Sequence, residues 1–294
     1  MTLLKSDTPP LRPGCAAVGS RELGLDLAQI AARYLFHTDH LHYGYWPKDL
    51  PVEMTNLKQA QENYVNLIVG TIPAGVHTIL DVGAGTGALA KHLQGKGYQV
   101  DCVSPSPHLT EKIRANLGDA QQIFESTYED LRTDRRYDMI LFSESFQYIA
   151  LDKSLALSVQ YMNPGGYILI SDYFRNDTPD KGPFGGGHHL SAFRRELERQ
   201  PLTQLVDEDI TPQTAPNLDL VADMVLNAVI PMKNLLFQFA ACKYPYPYRL
   251  LTWMFRKPLA HFDTKYLGGK RSGANFQVYK TYRLLLFRQS ELGC

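Results

Sequence analysis

The run Ile79-Leu80-Asp81-Val82-Gly83-Ala84-Gly85-Thr86-Gly87-Ala88-Leu89 joins a short apolar stretch, an acid and three spaced glycines. Such a run predicts a buried strand turning into a helix. Its glycines allow positive φ and let a ligand approach the backbone. Amides at the start of the following helix favour a carboxylate or phosphate. The chemistry is that of a nucleotide-cofactor cradle, and two cofactors compete for it. Read as G-x-G-x-x-A over Gly83 to Ala88, the loop fits a dinucleotide, which also wants an acid on the ribose roughly 20 positions later. Read as D-x-G-x-G-x-G over Asp81 to Gly87, it gives a use to the acid before the glycines, which a dinucleotide does not need.

Other reactive side chains gather in four places. Phe36 to Pro47 (FHTDHLHYGYWP) sets His37, His40 and His42 beside Tyr43, Tyr45 and Trp46. Histidine titrates near neutrality and suits a general base, and an aromatic face attracts a cation. Packing in an aromatic cap edge is the plainer role for each. His188 and His189 follow Gly185-Gly186-Gly187, Glu144 follows the apolar run Tyr137 to Ser143, and Asp209 lies near the end of Leu202 to Thr211. The candidate bases are His40, His42 and His188, with Glu144 and Asp209 behind them; a surface or capping role competes for each carboxylate. The N-terminal histidines lack strict ligand spacing, so no metal is expected.

The elements that must position these groups follow in order. Tyr98 to Leu109 (YQVDCVSPSPHL) predicts a second strand and its turn, and Phe124 to Leu131 (FESTYEDL) a third-strand loop. Tyr137 to Ser145 (YDMILFSES) predicts a fourth strand, and Tyr161 to Asp172 (YMNPGGYILISD) the turn into a fifth. With the glycine loop as motif I, these landmarks resemble the class I S-adenosylmethionine (SAM) methyltransferases. That family also carries V-x-G-V-D-x-S-P and L-x-P-G-G-x-L-x-I-x-D patterns at these places. The resemblance implies an α/β fold, a Rossmann-like sheet of seven strands with the last antiparallel, with SAM as cofactor and S-adenosylhomocysteine as product. It places Asp81 at the methionine end of the cofactor, with Gly83, Ala84, Gly85 and Gly87 beneath it. It further places Ser104 and Pro105 at the ribose, Thr127 and Tyr128 at the adenine, and Ser143 at the end of strand four.

One departure stands out. Ser104 occupies the position of an acid that binds both ribose hydroxyls in the family, and a serine makes one weaker contact there. Its absence also weighs against a dinucleotide. Cyclopropane fatty acid synthases and some related small-molecule methyltransferases lack this acid too. The histidine segment and Asn56 to Glu62 (NLKQAQE) resemble the N-terminal cap of small-molecule and lipid methyltransferases, among them the tocopherol, phosphoethanolamine and cyclopropane-forming groups. That cap folds over the cofactor, which implies a contact of Tyr43 with the sulfonium.

Composition agrees with one large α/β domain plus additions: 294 residues, 44% hydrophobic and 20% charged. With 30 basic and 30 acidic side chains, the chain has no electrostatic footprint for nucleic acid. Cys15, Cys102, Cys242 and Cys294 show no pairing or metal spacing and read as reduced thiols of a cytoplasmic protein. Residues 1–20 lack the apolar core of a signal peptide. The expected organisation is a mobile N-terminus over 1–20, then a helical cap over 21–72 with Leu23, Leu25, Leu27, Ile30, Ala31 and Tyr34 on one face. A cofactor-binding core over 73–211, a helical substrate lid over 212–274 and a final core strand with the C-terminus over 275–294 follow, the strand read from Asn275 to Arg288 on its β-branched and aromatic content.

In the lid, Leu218, Val221, Val225, Ala228, Met232, Leu235, Leu236 and Phe239 recur at helical spacing. Asp223, Pro231, Lys233 and Gln238 interrupt this stretch, which argues against a membrane span. Beyond Tyr244-Pro245-Tyr246-Pro247-Tyr248, Leu251, Trp253, Met254, Phe255, Leu259 and Phe262 stand beside Arg249, Arg256, Lys257 and Lys265. These residues either pack on the core or cover a hydrophobic or amphipathic acceptor. The basic stretch over 245–265 also suits peripheral contact with an anionic membrane. The expected function is SAM-dependent methyl transfer, by in-line displacement, to a small or lipid-like acceptor. A cyclopropane-forming relative and a non-catalytic SAM-binding partner protein are the alternatives.

Overall fold

The computed structural model describes residues 34, 38, 40–118, 121–180, 182–257, 260 and 270–290. The helical face expected over Leu23 to Ala31, His37, the lid residues Leu259, Phe262 and Lys265, and Cys15 and Cys294 lie outside them.

Short apolar runs separated by helices build a parallel sheet. β1 (Thr78–Val82), β2 (Gln99–Val103), β3 (Ile123–Phe124), β4 (Tyr137–Ser143) and β5 (Met162–Arg175) run parallel in the order β3-β2-β1-β4-β5. β6 (Leu202–Asp209) lies at the far edge, and β7 (Lys280–Gln289) enters antiparallel between β5 and β6. This seven-stranded sheet, with its last strand reversed, is the Rossmann-like methyltransferase sheet that the sequence implied.

Helices cover both faces, so the central strands are apolar on both sides. Leu80, Val82, Ile140, Phe142, Ile168 and Ile170 face one layer, while Ile79, Met139, Leu141 and Leu169 face the other. Helix α1 (Leu57–Thr71) closes the second layer with a stripe of Ala60, Gln61, Tyr64, Val65 and Ile68. Burying a side chain such as Ile68 contributes roughly 1.5–3 kcal/mol. Asp81 alternates in phase with Ile79, which turns it toward this α1 side of the sheet. α2 (Ala88–Gly95), α3 (Pro107–Leu117), α4 (Leu151–Tyr161) and α5 (Leu190–Leu197) complete the layers.

Between β6 and β7 come α6 (Thr211–Thr214) and α7 (Pro216–Met224), a π-helical turn (Val225–Val229), α8 (Ile230–Lys243) and α9 (Pro245–Met254). The helically spaced apolar stripe divides here. Leu218, Leu220 and Val225 are buried, whereas Met232, Leu235, Leu236 and Phe239 are exposed. Neither α8 nor α9 buries a side chain, so packing on the core does not account for their apolar residues. The helical run Thr211–Lys243 spans 33 residues with a window of mean hydropathy 1.5, of which 11% is buried. It is long and apolar enough to cross a membrane by length and composition, which corrects the expectation that its polar interruptions exclude this. Pro231 occupies the first turn of α8, directly after the π-helical turn, where a missing N–H is tolerated.

The final strand also starts later than its aromatic content predicts. Gly273–Tyr279 form a short helix, α10, because the Ser272 hydroxyl accepts the Asn275 amide at its N-cap and Phe276 is buried.

Candidate active site

The glycine loop leaves the carboxyl end of β1, where parallel sheets bind ligands. Gly83, Gly85 and Gly87 take φ of 76°, 57° and 79°. A Cβ on Gly83 would lie 2.5 Å from Ser145 Cβ and one on Gly87 3.2 Å from Ile113 Cα, but one on Gly85 would meet nothing within 4 Å. Gly83 and Gly87 therefore seat the loop, and Gly85 leaves room for a ligand. The amides of Gly83 and Ala84 both donate to the Val103 carbonyl, at 2.9 and 3.4 Å. These two amides hold the loop to β2 rather than serving a ligand.

Asp81 is 2% exposed, and its Oδ2 has no hydrogen-bond partner among the described residues. Burial pushes its carboxyl up to about 7. A buried carboxylate oxygen without a donor is costly, and a ligand ammonium would supply the missing partner. Ser104 is buried and accepts the Ser106 amide at 3.4 Å; Pro105 follows on the exposed turn. The neighbouring acid Asp101 does not take over the ribose role. Its Oδ2 accepts from Tyr137 and Arg135 at 2.8 Å each and its Oδ1 from the Gln122 amide.

Past β3, Thr127 is exposed and exchanges hydrogen bonds with Asp130. Tyr128 turns inward, its ring edge-on to Phe142 and its hydroxyl 3.1 Å from Ser158 Oγ, which commits its side chain to the core. Ser126 Oγ is buried with no hydrogen-bond partner among the described residues. It is the hydroxyl of this loop that a ligand can satisfy, and the sequence reading passed over it. The unpaired Asp81 oxygen, the clear face of Gly85 and the hydroxyls of Ser104 and Ser126 fit SAM, which when bound supplies an electrophilic methyl on sulfur.

A strap over residues 40–47 crosses above this edge, held from two sides. On α1, a Cβ on Gly44 would come 2.6 Å from Ala60 Cβ, and the Tyr45 amide donates to the Ala60 carbonyl at 2.8 Å. Gln61 donates to the carbonyls of His40 and His42 at 3.1 and 2.8 Å and accepts from the Thr38 hydroxyl at 2.7 Å. On α7, Asn217 accepts from the Gly44 amide and Trp46 Nε1 and donates to the carbonyls of Gly44 and Thr214.

The strap brings the Tyr43 amide to Glu144 Oε1 at 2.7 Å, and the Tyr282 hydroxyl donates to the same oxygen at 2.9 Å. Oε2 takes no hydrogen bond among the described residues. Glu144 has φ of 56°, the one positive value outside glycine among the described residues, a conformation that concentrates at functional sites. Burial pushes its carboxyl up to about 7 against the pull of its two donors. Behind it, the Tyr64 hydroxyl lies 2.9 Å from Tyr282 Oη and 3.2 Å from Ser143 Oγ and donates to Ser171 Oγ at 2.8 Å. The Tyr43 ring faces Tyr282 and Phe276, with centroids 6.0 and 6.4 Å away.

The remaining candidate bases separate from Glu144 on geometry. His42 stacks between Tyr64 and His40 at 4.5 and 4.7 Å and donates from Nδ1 to the Tyr43 carbonyl. Burial, aided by His40, lowers its pKa to about 3, so it stays neutral and is an acceptor rather than a base at neutral pH. His188 places Nε2 3.2 Å from the Phe146 carbonyl, edge-on to the Phe146 ring. Asp209 is surrounded by the Thr211 amide and hydroxyl, the Thr281 hydroxyl and Arg283. Burial pushes it up, but these donors prevail and hold it below the usual carboxylate range. It fastens β6 to β7 instead of accepting a proton. Asp172, which closes the fifth-strand motif, is fully buried, accepts two bonds from Gln147 and one from the Tyr173 amide, and is pushed up to about 8 by burial.

Comparison with known proteins agrees with this fold. An uncharacterized methyltransferase of Mycobacterium bovis is 27% identical over 95 residues, 32% of this chain and 39% of that protein. The glycine/sarcosine/dimethylglycine N-methyltransferase of Actinopolyspora halophila is 26% identical over 198 residues, 59% of this chain and 35% of its own length. The chain thus spans well under half the length of these curated relatives. Geranyl diphosphate C-methyltransferase from Streptomyces coelicolor, solved with S-adenosyl-L-homocysteine, shares the fold with a TM-score of 0.64 at 15% identity, covering 89% of this chain and 92% of that one. The family model described as a methyltransferase domain matches residues 53–214, from just before α1 through β6 to α6. The chain belongs to this methyltransferase domain family, and its cofactor is SAM.

Proposed function

We propose that the protein transfers the sulfonium methyl of SAM to a small hydrophobic or amphipathic acceptor, with Glu144 as the base that takes the acceptor's proton. The Glu144 carboxyl supports this reading: one oxygen is oriented by Tyr43 and Tyr282, the other takes no bond among the described residues, and the following residue, Ser145, underlies Gly83. A carboxyl near pH 7 is matched to general-base work at neutral pH. The aromatic surround of Tyr43, Tyr282 and Phe276 suits an apolar acceptor and attracts a cationic sulfonium. Positioning of the acceptor in line with the methyl accounts for much of the expected acceleration.

The named relatives act on glycine derivatives and on geranyl diphosphate. Aromatic walls and an apolar lid favour the lipid-like kind of acceptor here. A cytoplasmic location with peripheral membrane contact through 245–265 belongs to the same reading.

The test is a screen of phenols, amines, isoprenoids and unsaturated lipids for S-adenosylhomocysteine release. Glu144→Gln keeps an acceptor for Tyr43 and Tyr282 and is expected to lower turnover by roughly 10²–10⁴ with S-adenosylhomocysteine affinity retained. Unchanged turnover in Glu144→Gln removes Glu144 as base. Tight cofactor binding without release on any acceptor favours a non-catalytic SAM-binding protein.

A further inference from the structure

The α8–α9 hairpin stands apart from the rest of the molecule in exposure and in charge. Leu235, Leu236, Leu250, Leu251, Trp253 and Phe255 are each more than half exposed. Beyond the edge contact of Phe237 with Tyr248, centroids 6.0 Å apart, the two helices leave most of their apolar surface uncovered. Contiguous exposed apolar surface of this kind marks an interaction site.

The charge pattern says with what. Between Asp223 and Asp263 the chain contains no Asp or Glu, while Lys233, Lys243, Arg249, Arg256 and Lys257 fall inside that interval. The whole protein has formal net charge +0, so this cationic segment is local and deliberate in placement. Lys243 lies over the Phe239 and Tyr244 rings at 5.5 and 5.8 Å, and Arg256 lies 5.7 Å from the Trp253 ring. Cations riding on aromatic and aliphatic surface, with tyrosine and tryptophan at the polar margin, form the interfacial pattern of a helix lying in a bilayer surface. A protein partner of ordinary composition would be expected to meet some acid on the hairpin; a lipid surface would not.

We infer that α8 and α9 together dock the protein on an anionic phospholipid bilayer, an assignment that deepens, and rests on, the peripheral contact in the reading above. Leucine and aromatic side chains enter the headgroup boundary, and the five cations meet anionic headgroups. Each cation near such a surface is worth about a fivefold gain in partition at low salt. The hairpin follows α7, whose Asn217 holds the strap over Glu144, so docking places a lipid-like acceptor near the site's entrance.

The experiment is co-sedimentation of the full chain with large unilamellar vesicles. One set is pure phosphatidylcholine and the other contains one quarter phosphatidylglycerol. Expected is pelleting with the anionic vesicles at least tenfold stronger than with the neutral ones, weakened by high salt. The pair Arg256→Ser and Lys257→Ser should cost about 25-fold, and the pair Leu235→Glu and Leu236→Glu should abolish pelleting. Equal pelleting on both vesicles, or none on either, overturns the inference. So does a dimer in sedimentation equilibrium that the leucine substitutions split while vesicles are ignored, because the hairpin's occupant is then a second copy. S-adenosylhomocysteine titration of the same samples shows that the variants fold. On the unsubstituted chain it also separates the two readings: no vesicle binding with intact cofactor binding sinks docking alone, and vesicle binding without cofactor binding sinks the methyltransferase reading alone.

Discussion

Asp81 makes cofactor affinity a pH measurement. In the free protein its buried carboxyl, with Oδ2 unpartnered among the described residues, is pushed up by burial to about 7. A ligand ammonium that keeps it ionised obliges the free protein to lose a proton on binding below that pH. The apparent Kd then scales with 1 + 10^(pKa − pH), which is about 11 at pH 6 and about 1.1 at pH 8. S-adenosylhomocysteine should therefore bind about tenfold, or about 1.4 kcal/mol, more weakly at pH 6 than at pH 8. Calorimetric titrations at pH 6, 7 and 8, repeated in buffers of different ionisation enthalpy, should count about 0.9 proton released at pH 6 and about 0.1 at pH 8. Asp81→Asn should flatten this dependence and weaken binding at pH 8 by about 1.5–3 kcal/mol, the value of a hydrogen bond to a charged group. The free protein should show the complementary trend. Because the folded carboxyl is raised above its unfolded value, its contribution to stability is present at low pH and lost as pH rises through 7. A wild-type Kd that is flat from pH 6 to 8 would refute the reasoning. A slope that survives in Asp81→Asn and vanishes in Glu144→Gln would move it to the wrong carboxylate.

Three further outcomes follow from the same geometry. Tyr282→Phe removes a donor that pulls the Glu144 carboxyl down, so the acidic limb of the turnover profile should move to higher pH by about one unit; a profile superimposable on wild type argues against Glu144. Gly83→Ala combines left-handed backbone with a Cβ 2.5 Å from Ser145 and should cost about 2–4 kcal/mol in chemical denaturation, whereas a change under about 1 kcal/mol contradicts the packing described. Asn217→Ala strips four hydrogen bonds from the strap and α7; it should lower stability by about 2–4 kcal/mol and weaken S-adenosylhomocysteine binding, and unaltered affinity would mean that the strap does not cover the cofactor.

Local chemistry was legible in the sequence, and long-range chemistry was not. Asp81 and the glycines announce themselves because strand, acid and turn are contiguous and the backbone itself demands glycine. The sheet order came with the family resemblance that these local motifs carry. Glu144 could be placed at a strand end, but its distinction from Asp209 depends on partners far away: Arg283, Thr211 and Thr281 claim one carboxylate, while Tyr43 and Tyr282 orient the other. Tyr64 and Tyr282 carried no signal because nothing in their sequence neighbourhoods shows that their hydroxyls meet. Asn217 carried no signal, since three of its four hydrogen bonds go to Gly44 and Trp46, residues remote in sequence. Tyr128 misled for the opposite reason: it matched a motif position, but its ring found better burial against Phe142 than at the loop surface. The Asn275–Tyr279 segment misled because a serine N-cap outweighed β-forming side chains over a few residues.

The three groups that meet at the Glu144 carboxyl are far apart along the chain, Tyr43 by 101 positions and Tyr282 by 138. Closing such separations is slow relative to forming local helices. Among the described residues β6 pairs with β7 alone, and β7 follows the other six strands along the chain. During translation the edge strand therefore emerges before the strand that pairs with it, and Glu144 gains its second donor only when that strand slides in. Under the proposal that Glu144 is the base, competence at this carboxyl would report that the topology has closed around it, and a chain stalled before β7 would lack one of its two orienting donors.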